Sequence, residues 1–184
     1  MRKLINSTYI TLDGVIENPV WTMPYFDDEA AAFAGEQTDT ADALLMGRAT
    51  YDGMSAAWPT RDESDPSTGA AYFNSVKKYV ASTTLTDPAW KNSEVLQGDL
   101  IEEVTKIKAQ EGKDILQYGF GSVTTQLIRA GLLDEVRFWI VPVLEGAESL
   151  TTPLKDFKAS FELVDTKVMK SGVIIASYRP KAAE

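Results

Sequence analysis

The sequence predicts an α/β fold with a mostly parallel central sheet, helices on both faces and an antiparallel hairpin at its C-terminal end. Strand-like segments alternate with helix-like segments as far as residue 130, an order typical of parallel sheets. Two strand-like runs, Phe161–Met169 and Val173–Tyr178, follow with a glycine-containing turn between them, which predicts the hairpin. The length of 184 residues and the 44% apolar content fit one domain spanning 1–184.

Propensity and patterning define the elements of the first half. The apolar and β-branched run Leu4–Thr11 predicts the first strand, and Asp13-Gly14 predicts the turn after it. Three acidic residues precede the alanine-rich run 30–34, which predicts a helix because carboxylates stabilise a helix N-terminus and alanine favours the helical backbone. The apolar run Ala43–Met46 predicts a buried strand that ends at Gly47, with a helix after it.

The second half continues the alternation. Apolar residues at 100, 101, 104 and 107 have helical spacing, and Asp99 is expected to cap the helix Leu100–Ala109. A later helix, Val123–Ala130, has Gly131 as a suitable C-cap. Lys77 and Lys78 are expected to lie on a solvated face. Further strands are predicted at Lys77–Ala81, Glu94–Gln97, Asp114–Tyr118 and Glu135–Val143, and a polar surface loop at Thr60–Gly69.

The composition excludes several classes of chemistry. The sequence has neither cysteine nor histidine, which excludes disulfides, thiolate nucleophiles, His-Cys zinc sites and Ser-His-Asp triads. Proton transfer must therefore use carboxylates, Tyr, Lys or water, or the chemistry must belong to a cofactor. No metal site is predicted.

Charge and hydropathy restrict the partners. A net charge of −9 argues against nucleic acid, because duplex-binding proteins present a basic face. No apolar run approaches the about 18 residues of a membrane span, and the N-terminal residues lack a secretory signal, so no membrane partner and a cytoplasmic location are expected. The edge hairpin, rich in Val, Ile and Phe, makes a homodimer a further expectation.

Three predicted strand ends run into glycine or hydroxyl residues, at Gly47–Thr50, Ser82–Thr84 and Gly119–Ser122. The carboxyl ends of parallel strands meet at one rim of a sheet, where open α/β proteins bind their ligands. Glycine, helix N-termini and hydroxyls suit a phosphate, and Arg48 adds a charge with bidentate geometry. Each segment alone could equally be a tight turn or a helix cap. Their joint occurrence predicts a site for a phosphorylated nucleotide.

The sequence resembles the dihydrofolate-reductase-like superfamily, specifically the C-terminal reductase domain of the bifunctional riboflavin-biosynthesis deaminase/reductase. The resemblance runs from about residue 1 to 146, and more weakly beyond. It rests on five short segments in order: Thr11-Leu12-Asp13-Gly14-Val15-Ile16, Asp42-Ala43-Leu44-Leu45-Met46-Gly47-Arg48-Ala49-Thr50-Tyr51, Tyr79-Val80-Ala81-Ser82, Gly119-Phe120-Gly121-Ser122 and Gly131-Leu132-Leu133-Asp134-Glu135-Val136. It implies the three-layer fold of that superfamily.

The resemblance also implies NADPH as the cofactor. Gly47, Arg48 and Thr50 should then meet the cofactor phosphates, with Arg48 and Thr83 at the adenosine 2′-phosphate. The family's Gly-Gly pair at the pyrophosphate turn appears here as Gly119-Phe120. The other implied contacts are Ser82 and Thr84 beside the adenosine, Gly119, Phe120, Gly121, Ser122 and Val123 around the pyrophosphate, and Val15 and Ile16 near the nicotinamide.

The substrate side leaves two interpretations open. Tyr9 and Trp21 are the candidate walls of a substrate pocket, and an irregular loop carries Trp21. Asp27 and Asp28 follow it where dihydrofolate reductase carries its pterin-binding acid. A buried carboxylate there could hold a heterocycle and assist its protonation. Alternatively, both acids only favour a helix start. Asp13 is expected to be a turn residue.

The resemblance therefore implies an NADPH-dependent oxidoreductase of the dihydrofolate reductase or 5-amino-6-(5-phosphoribosylamino)uracil reductase type. It would transfer a hydride to a pteridine-, folate- or pyrimidine-like ring. The alternative is a non-catalytic nucleotide- or ligand-binding protein of the same fold, because fold does not fix function. A folate reductase proper is a third interpretation, which tight methotrexate binding would distinguish.

Overall fold

A computed structural model describes residues 1–65, 68–146 and 157–182. A seven-residue 3-10 helix at Pro19–Tyr25 precedes the first α-helix. The strands are β1 Leu4–Thr11, β2 Ala41–Gly47, β3 Lys77–Ala81, β4 Ser93–Val95, β5 Asp114–Tyr118, β6 Glu135–Val141, β7 Phe161–Val168 and β8 Ile174–Pro180. The helices are α1 Asp28–Asp39, α2 Arg48–Ala57, α3 Ala70–Ser75, α4 Leu100–Ala109 and α5 Ser122–Arg129.

All of these strands form one sheet in the order β4-β3-β2-β5-β1-β6-β8-β7. The six strands from β4 to β6 pair in parallel, whereas β8 pairs antiparallel with both β6 and β7. This architecture confirms the predicted α/β class, with its antiparallel hairpin at one edge. In the described ranges, no helix is long and apolar enough to cross a membrane.

Helices cover the two faces of the sheet and make three layers. Neighbouring apolar residues of the central strands point to opposite faces and are buried on both, as in parallel sheets generally. In β2, Leu45 packs with α4 and α5, and its neighbour Leu44 packs in the opposite layer beside Tyr51 of α2. A third apolar cluster, around Trp139 of β6, packs against α1.

Local signals fix the helix ends. Asp99 accepts hydrogen bonds from the backbone N–H groups of Ile101 and Glu102, as its predicted capping role requires.

Some elements differ from their predicted bounds. Strand β6 ends at Val141, two residues before the predicted end, because Pro142 has no N–H to continue the ladder. The 3-10 helix forms where the sequence predicted an irregular loop, and α3 lies outside the predicted elements. Residues 66 and 67 of the predicted polar loop lie outside the described residues.

Lys78 corrects a prediction from the sequence. It is fully buried, not solvated, and its Nζ donates to the backbone oxygens of Val76 at 2.8 Å and Lys91 at 2.9 Å. The ammonium also lies over the ring of Trp90, 4.4 Å from its centroid. Burial, with a smaller contribution from the charge of Lys91, lowers the pKa of Lys78 to about 8. A strand pattern of two lysines does not reveal that one of them faces a core lined with carbonyl groups.

Candidate functional site

The three predicted strand ends meet at one edge of the sheet. Gly47 at the end of β2 lies beside Ala81 of β3, and Met46 lies beside Tyr118 of β5. The chain therefore leaves three adjacent parallel strands on the same side, and the segments that follow them form one rim. This geometry brings together the residues that the sequence predicted for a nucleotide.

The start of helix α2 offers free backbone donors to this rim. Gly47 is its N-cap, has an extended backbone and supplies no side-chain cap. The first N–H groups of an α-helix have no partner inside the helix, and with no capping side chain they suit an anion. A Cβ at Gly47 would lie 3.3 Å from Cγ2 of Val123, so the starts of α2 and α5 are closely packed.

Gly119, directly after β5, makes the turn into the second helix start. Its φ of +80° lies in the left-handed region, which favours glycine. A Cβ at this position would overlap Oγ1 of Thr50, so the turns after β2 and β5 touch. The N-cap of α5 is again a glycine, Gly121, which has no side chain to cap the helix, while its own N–H donates to Thr124 Oγ1 at 3.3 Å. Two helix starts without an N-cap side chain thus face the same rim.

A buried amide network holds the Gly119 turn in place. Asn6 Nδ2 in β1 donates to the Gly119 carbonyl at 2.8 Å and to Gln117 Oε1 at 3.1 Å. Gln117 Nε2 donates to Thr124 Oγ1 at 2.7 Å, and that hydroxyl lies 3.2 Å from the same Gly119 carbonyl. The sequence prediction missed these residues, although polar side chains within apolar strands are a signal of such networks.

Phe120 contributes only its backbone to the rim. Its side chain is buried in the core, with its ring 5.4 Å from that of Phe138. The neighbouring Ser122 is exposed and Val123 is half-buried. Of the five residues predicted around a pyrophosphate, Phe120 could therefore contribute only its backbone groups.

Arg48 links the rim to the loop after β3. Its Nη1 lies 3.3 Å from Thr84 Oγ1, and its Nε donates to both carboxylate oxygens of Asp52 at 2.8 Å. Ser82 Oγ shapes this loop, because it accepts hydrogen bonds from the backbone N–H groups of Thr84 and Leu85. Thr83 is exposed beside them. The sequence prediction also missed Asp52, whose spacing of four residues from Arg48 is the available signal.

The loop after β1 is held by its own side chains. Thr11 Oγ1 accepts from the Val15 N–H at 2.8 Å and donates to Asp13 at 2.5 Å. Asp13 also accepts from the Gly146 N–H at 2.8 Å. The hydrogen bond from Thr11, followed by those from the backbone, holds the pKa of Asp13 below its usual range. Asp13 is therefore a turn residue, as expected. Val15 is buried and Ile16 is partly buried against the α4–α5 core.

An aromatic cluster lies between β1, β6 and the 3-10 helix. The centre of the cluster is Trp139, whose ring is 5.3 Å from those of Tyr9 and Phe33 and whose Nε1 donates to Ser7 Oγ at 2.9 Å. Trp21 is buried in the same cluster, and among the described residues its Nε1 has no hydrogen-bond partner. The cavity beside Tyr9 has a volume of about 10 Å³, which is the space of one water molecule.

Asp27 and Asp28 do not supply a buried carboxylate. Both are exposed at the start of α1, where Asp27 is the N-cap and accepts a hydrogen bond from the Ala30 N–H at 3.0 Å. The helix-start interpretation accounts for both residues, and the expectation of a buried acid in the pocket is corrected. Burial raises the pKa of Tyr9 to about 12, which leaves that hydroxyl protonated at neutral pH.

The fold and the rim define a dihydrofolate-reductase-like α/β protein. Residues 2–175 match the model of the family described as the RibD C-terminal domain. The chain belongs to this reductase-like family, as its resemblance implied.

The chain is similar to several known proteins along nearly its whole length. The uncharacterized protein YyaP of Bacillus subtilis is 31% identical over 182 residues, which cover 96% of this chain and 94% of YyaP. A pyrimidine reductase-like protein from Corynebacterium diphtheriae has a similar structure, with a TM-score of 0.66, 16% identity and coverage of 99% of this chain and 93% of that one. Dihydrofolate reductase from Enterococcus faecalis, solved with NADP(H), has a TM-score of 0.60, 18% identity and coverage of 97% and 96%. At these identities the two structures establish the fold.

Proposed function

We propose that this protein is a reductase that uses NADPH to reduce a small planar heterocycle. The observation that carries the proposal is the convergence of two helix starts without an N-cap side chain, at Gly47 and Gly121, on a rim where Arg48 reaches the loop after β3. Helix N-termini and an arginine are the groups that bind the phosphates of a dinucleotide.

The Gly119 turn is shaped by its contact with Thr50. A side chain at Gly119 would overlap Thr50, so its absence lets the turns after β2 and β5 pack together beside the two helix starts. In the proposal, the starts of α2 and α5 bind the pyrophosphate, Arg48 with Thr83 and Thr84 binds the 2′-phosphate, and Val15 and Ile16 lie beside the nicotinamide. NADPH supplies the hydride when it is bound, and the protein supplies position and orientation.

The aromatic cluster is the proposed substrate site. In the part of the chain that the structure describes, Trp21 Nε1 is buried without a partner, and Tyr9 lines the cavity with a hydroxyl whose pKa is raised to about 12 by burial. Both would donate to the oxygens or nitrogens of a flat pteridine-, folate- or pyrimidine-like ring. The ring requires more room than the present cavity, so the 3-10 helix Pro19–Tyr25 has to move away from Trp139 when the substrate binds.

Titration of the intrinsic tryptophan fluorescence with NADPH and with NADH tests the cofactor. We expect NADPH to bind with a Kd below about 1 mM. Arg48→Ala should weaken NADPH binding by about tenfold or more, because a hydrogen bond to a charged group is lost. The affinity for NADH should fall much less in this variant. Arg179→Ala, at an exposed position of β8, is the matched control. Millimolar or weaker binding of both dinucleotides by the wild-type protein would show the proposal to be wrong.

A non-catalytic nucleotide-binding protein is the second candidate. The small cavity and the exposed positions of Asp27 and Asp28 favour it, because the described residues leave little room and place no buried acid beside Trp139. NADPH oxidation followed at 340 nm, with pteridines, dihydrofolate and pyrimidines offered in turn, distinguishes the two. Binding of NADPH without turnover of any of these rings supports the second candidate.

A further inference from the structure

We propose that Asp52 limits the preference of this site for nucleotides that carry a 2′-phosphate. The inference rests on the proposed function, in which Arg48 meets that phosphate. Arg48 and Asp52 lie one turn apart on α2, so their side chains share one face of the helix. The Arg48 Nε donates to both carboxylate oxygens at 2.8 Å, and the side chains are 42% and 52% exposed.

The guanidinium is oriented before any nucleotide binds. Asp52 holds its Nε edge, and the hydrogen bond to Thr84 Oγ1 draws Nη1 towards the loop after β3. An arginine has five N–H donors, and these two contacts leave three for a ligand. The geometry is therefore suited to a phosphate at the Nη end of Arg48.

The charge around Arg48 is less favourable for binding a phosphate than the geometry is. The Arg48–Asp52 pair has a net charge of zero, so a phosphate dianion meets a carboxylate on the same helix face as its cation. In the described part of the chain, no second Lys or Arg forms a hydrogen bond or ion pair with Asp52, Ser82 or Thr84. Asp52 should therefore reduce the affinity for NADPH, whereas NADH carries no 2′-phosphate and should be nearly indifferent to it.

Asp52→Asn separates charge from position, because the amide oxygen can still accept from Arg48 Nε. The probes are adenosine 2′,5′-bisphosphate against 5′-AMP, and NADPH against NADH, each titrated by calorimetry. We expect the 2′-phosphorylated ligand of each pair to bind about three- to tenfold more tightly to the variant, with the gain falling as salt rises. The affinities for 5′-AMP and for NADH should change by less than about twofold.

Glu94→Gln is the matched control, since it removes one exposed carboxylate that pairs with Lys77 and not with Arg48. An equal gain in Glu94→Gln, an equal gain for 5′-AMP and NADH, or unchanged or weaker 2′-phosphate binding in Asp52→Asn overturns the role of Asp52. If wild type binds NADPH and Asp52→Asn has no effect, only this inference fails. If wild type binds neither dinucleotide, the proposed function fails and this inference with it.

Discussion

Gly119 is the residue at which the backbone geometry of the rim can be tested most directly. It has positive φ and lies against Thr50, whereas Gly131 has positive φ with open space around it. Both alanine variants strain the backbone by about 1 kcal/mol, but only Gly119→Ala displaces Thr50 and the turn beside it. We expect Gly119→Ala to weaken NADPH binding by about tenfold or more. Gly131→Ala should lower the free energy of unfolding and leave NADPH binding unchanged. Equal effects on binding would contradict the contact.

Lys78 gives stability a pH dependence of predictable sign. Its pKa is lowered to about 8 in the folded protein from 10.5, chiefly by burial. Between these values the unfolded chain holds a proton that the folded chain has lost, so raising the pH favours the folded state. Below pH 8 the folded protein has to bury the charged amine.

The measurement is the free energy of unfolding in urea from about pH 7.5 to pH 10.5 for wild type, Lys78→Met and Lys77→Met. We expect the stability of wild type relative to Lys78→Met to rise with pH across this window. Lys77 is 41% exposed and pairs with Glu94, so Lys77→Met should keep the wild-type slope. A difference between wild type and Lys78→Met that falls or stays flat would contradict the lowered pKa.

Among the elements, the turn between β5 and α5 depends on a side chain inside the helix. Thr124 Oγ1 lies 2.7 Å from Gln117 Nε2, 3.2 Å from the Gly119 carbonyl and 3.3 Å from the Gly121 N–H. The hydroxyl of the next residue, Thr125, donates to the Ser122 carbonyl at 3.1 Å. Both threonines are buried, so they form a matched pair.

Thr124→Val keeps the shape and removes the hydroxyl, which leaves the buried Gln117 amide with the Gly119 carbonyl, at 3.4 Å, as its remaining acceptor among the described residues. We expect it to lower the free energy of unfolding by about 1–3 kcal/mol and to weaken NADPH, because the turn loses its anchor. Thr125→Val should have the smaller effect on stability and none on binding. Urea unfolding and fluorescence titration measure both quantities, and equal losses in the two variants would refute the role of the network.

The elements also show how far the sequence alone could lead. The Asp99 cap, the glycine after α5 and the apolar run of β2 are local signals, and each element they predicted is present. The order in which the strands pair depends on contacts distant in sequence, and the sequence did not predict it. Asn6 lies 111 residues from Gln117, and no local sequence pattern predicts the hydrogen bond between their side-chain amides. The burial of Lys78 was missed for the same reason.

At the scale of the whole molecule, the hairpin leaves one apolar sheet face open in the described residues. Helices α4 and α5 pack over β1 and β5, while a groove of about 380 Å³ is bordered by Ile10, Phe138, Ile140, Phe161 and Tyr178. Beside it Leu163, Val168 and Ile174 are exposed on β7 and β8. An edge strand with exposed apolar side chains is a template for pairing.

A second copy of this chain is the proposed partner of the β7 edge beside that face. In one antiparallel register of β7 against itself, Glu162 lies opposite Lys167 of the other copy, and the two-fold axis repeats this pair of opposite charges. We therefore expect a homodimer of twice 20.2 kDa in light scattering after size exclusion. A wild-type protein that stays monomeric at every concentration would exclude it.

Charge at the same surface tests whether β7 is the contact. Val168 is 70% exposed on β7 and Val20 is 65% exposed on the 3-10 helix, so the two valines are matched in exposure. Val168→Glu should produce monomers, because in this register each added carboxylate would be buried opposite Phe161 of the other copy, whereas Val20→Glu should remain dimeric. Lys167→Glu should also weaken the dimer by placing like charges opposite each other. The double variant Glu162→Lys with Lys167→Glu reverses both charges. If it restores the dimer, it identifies the register, because the attraction returns only when these two residues lie opposite each other.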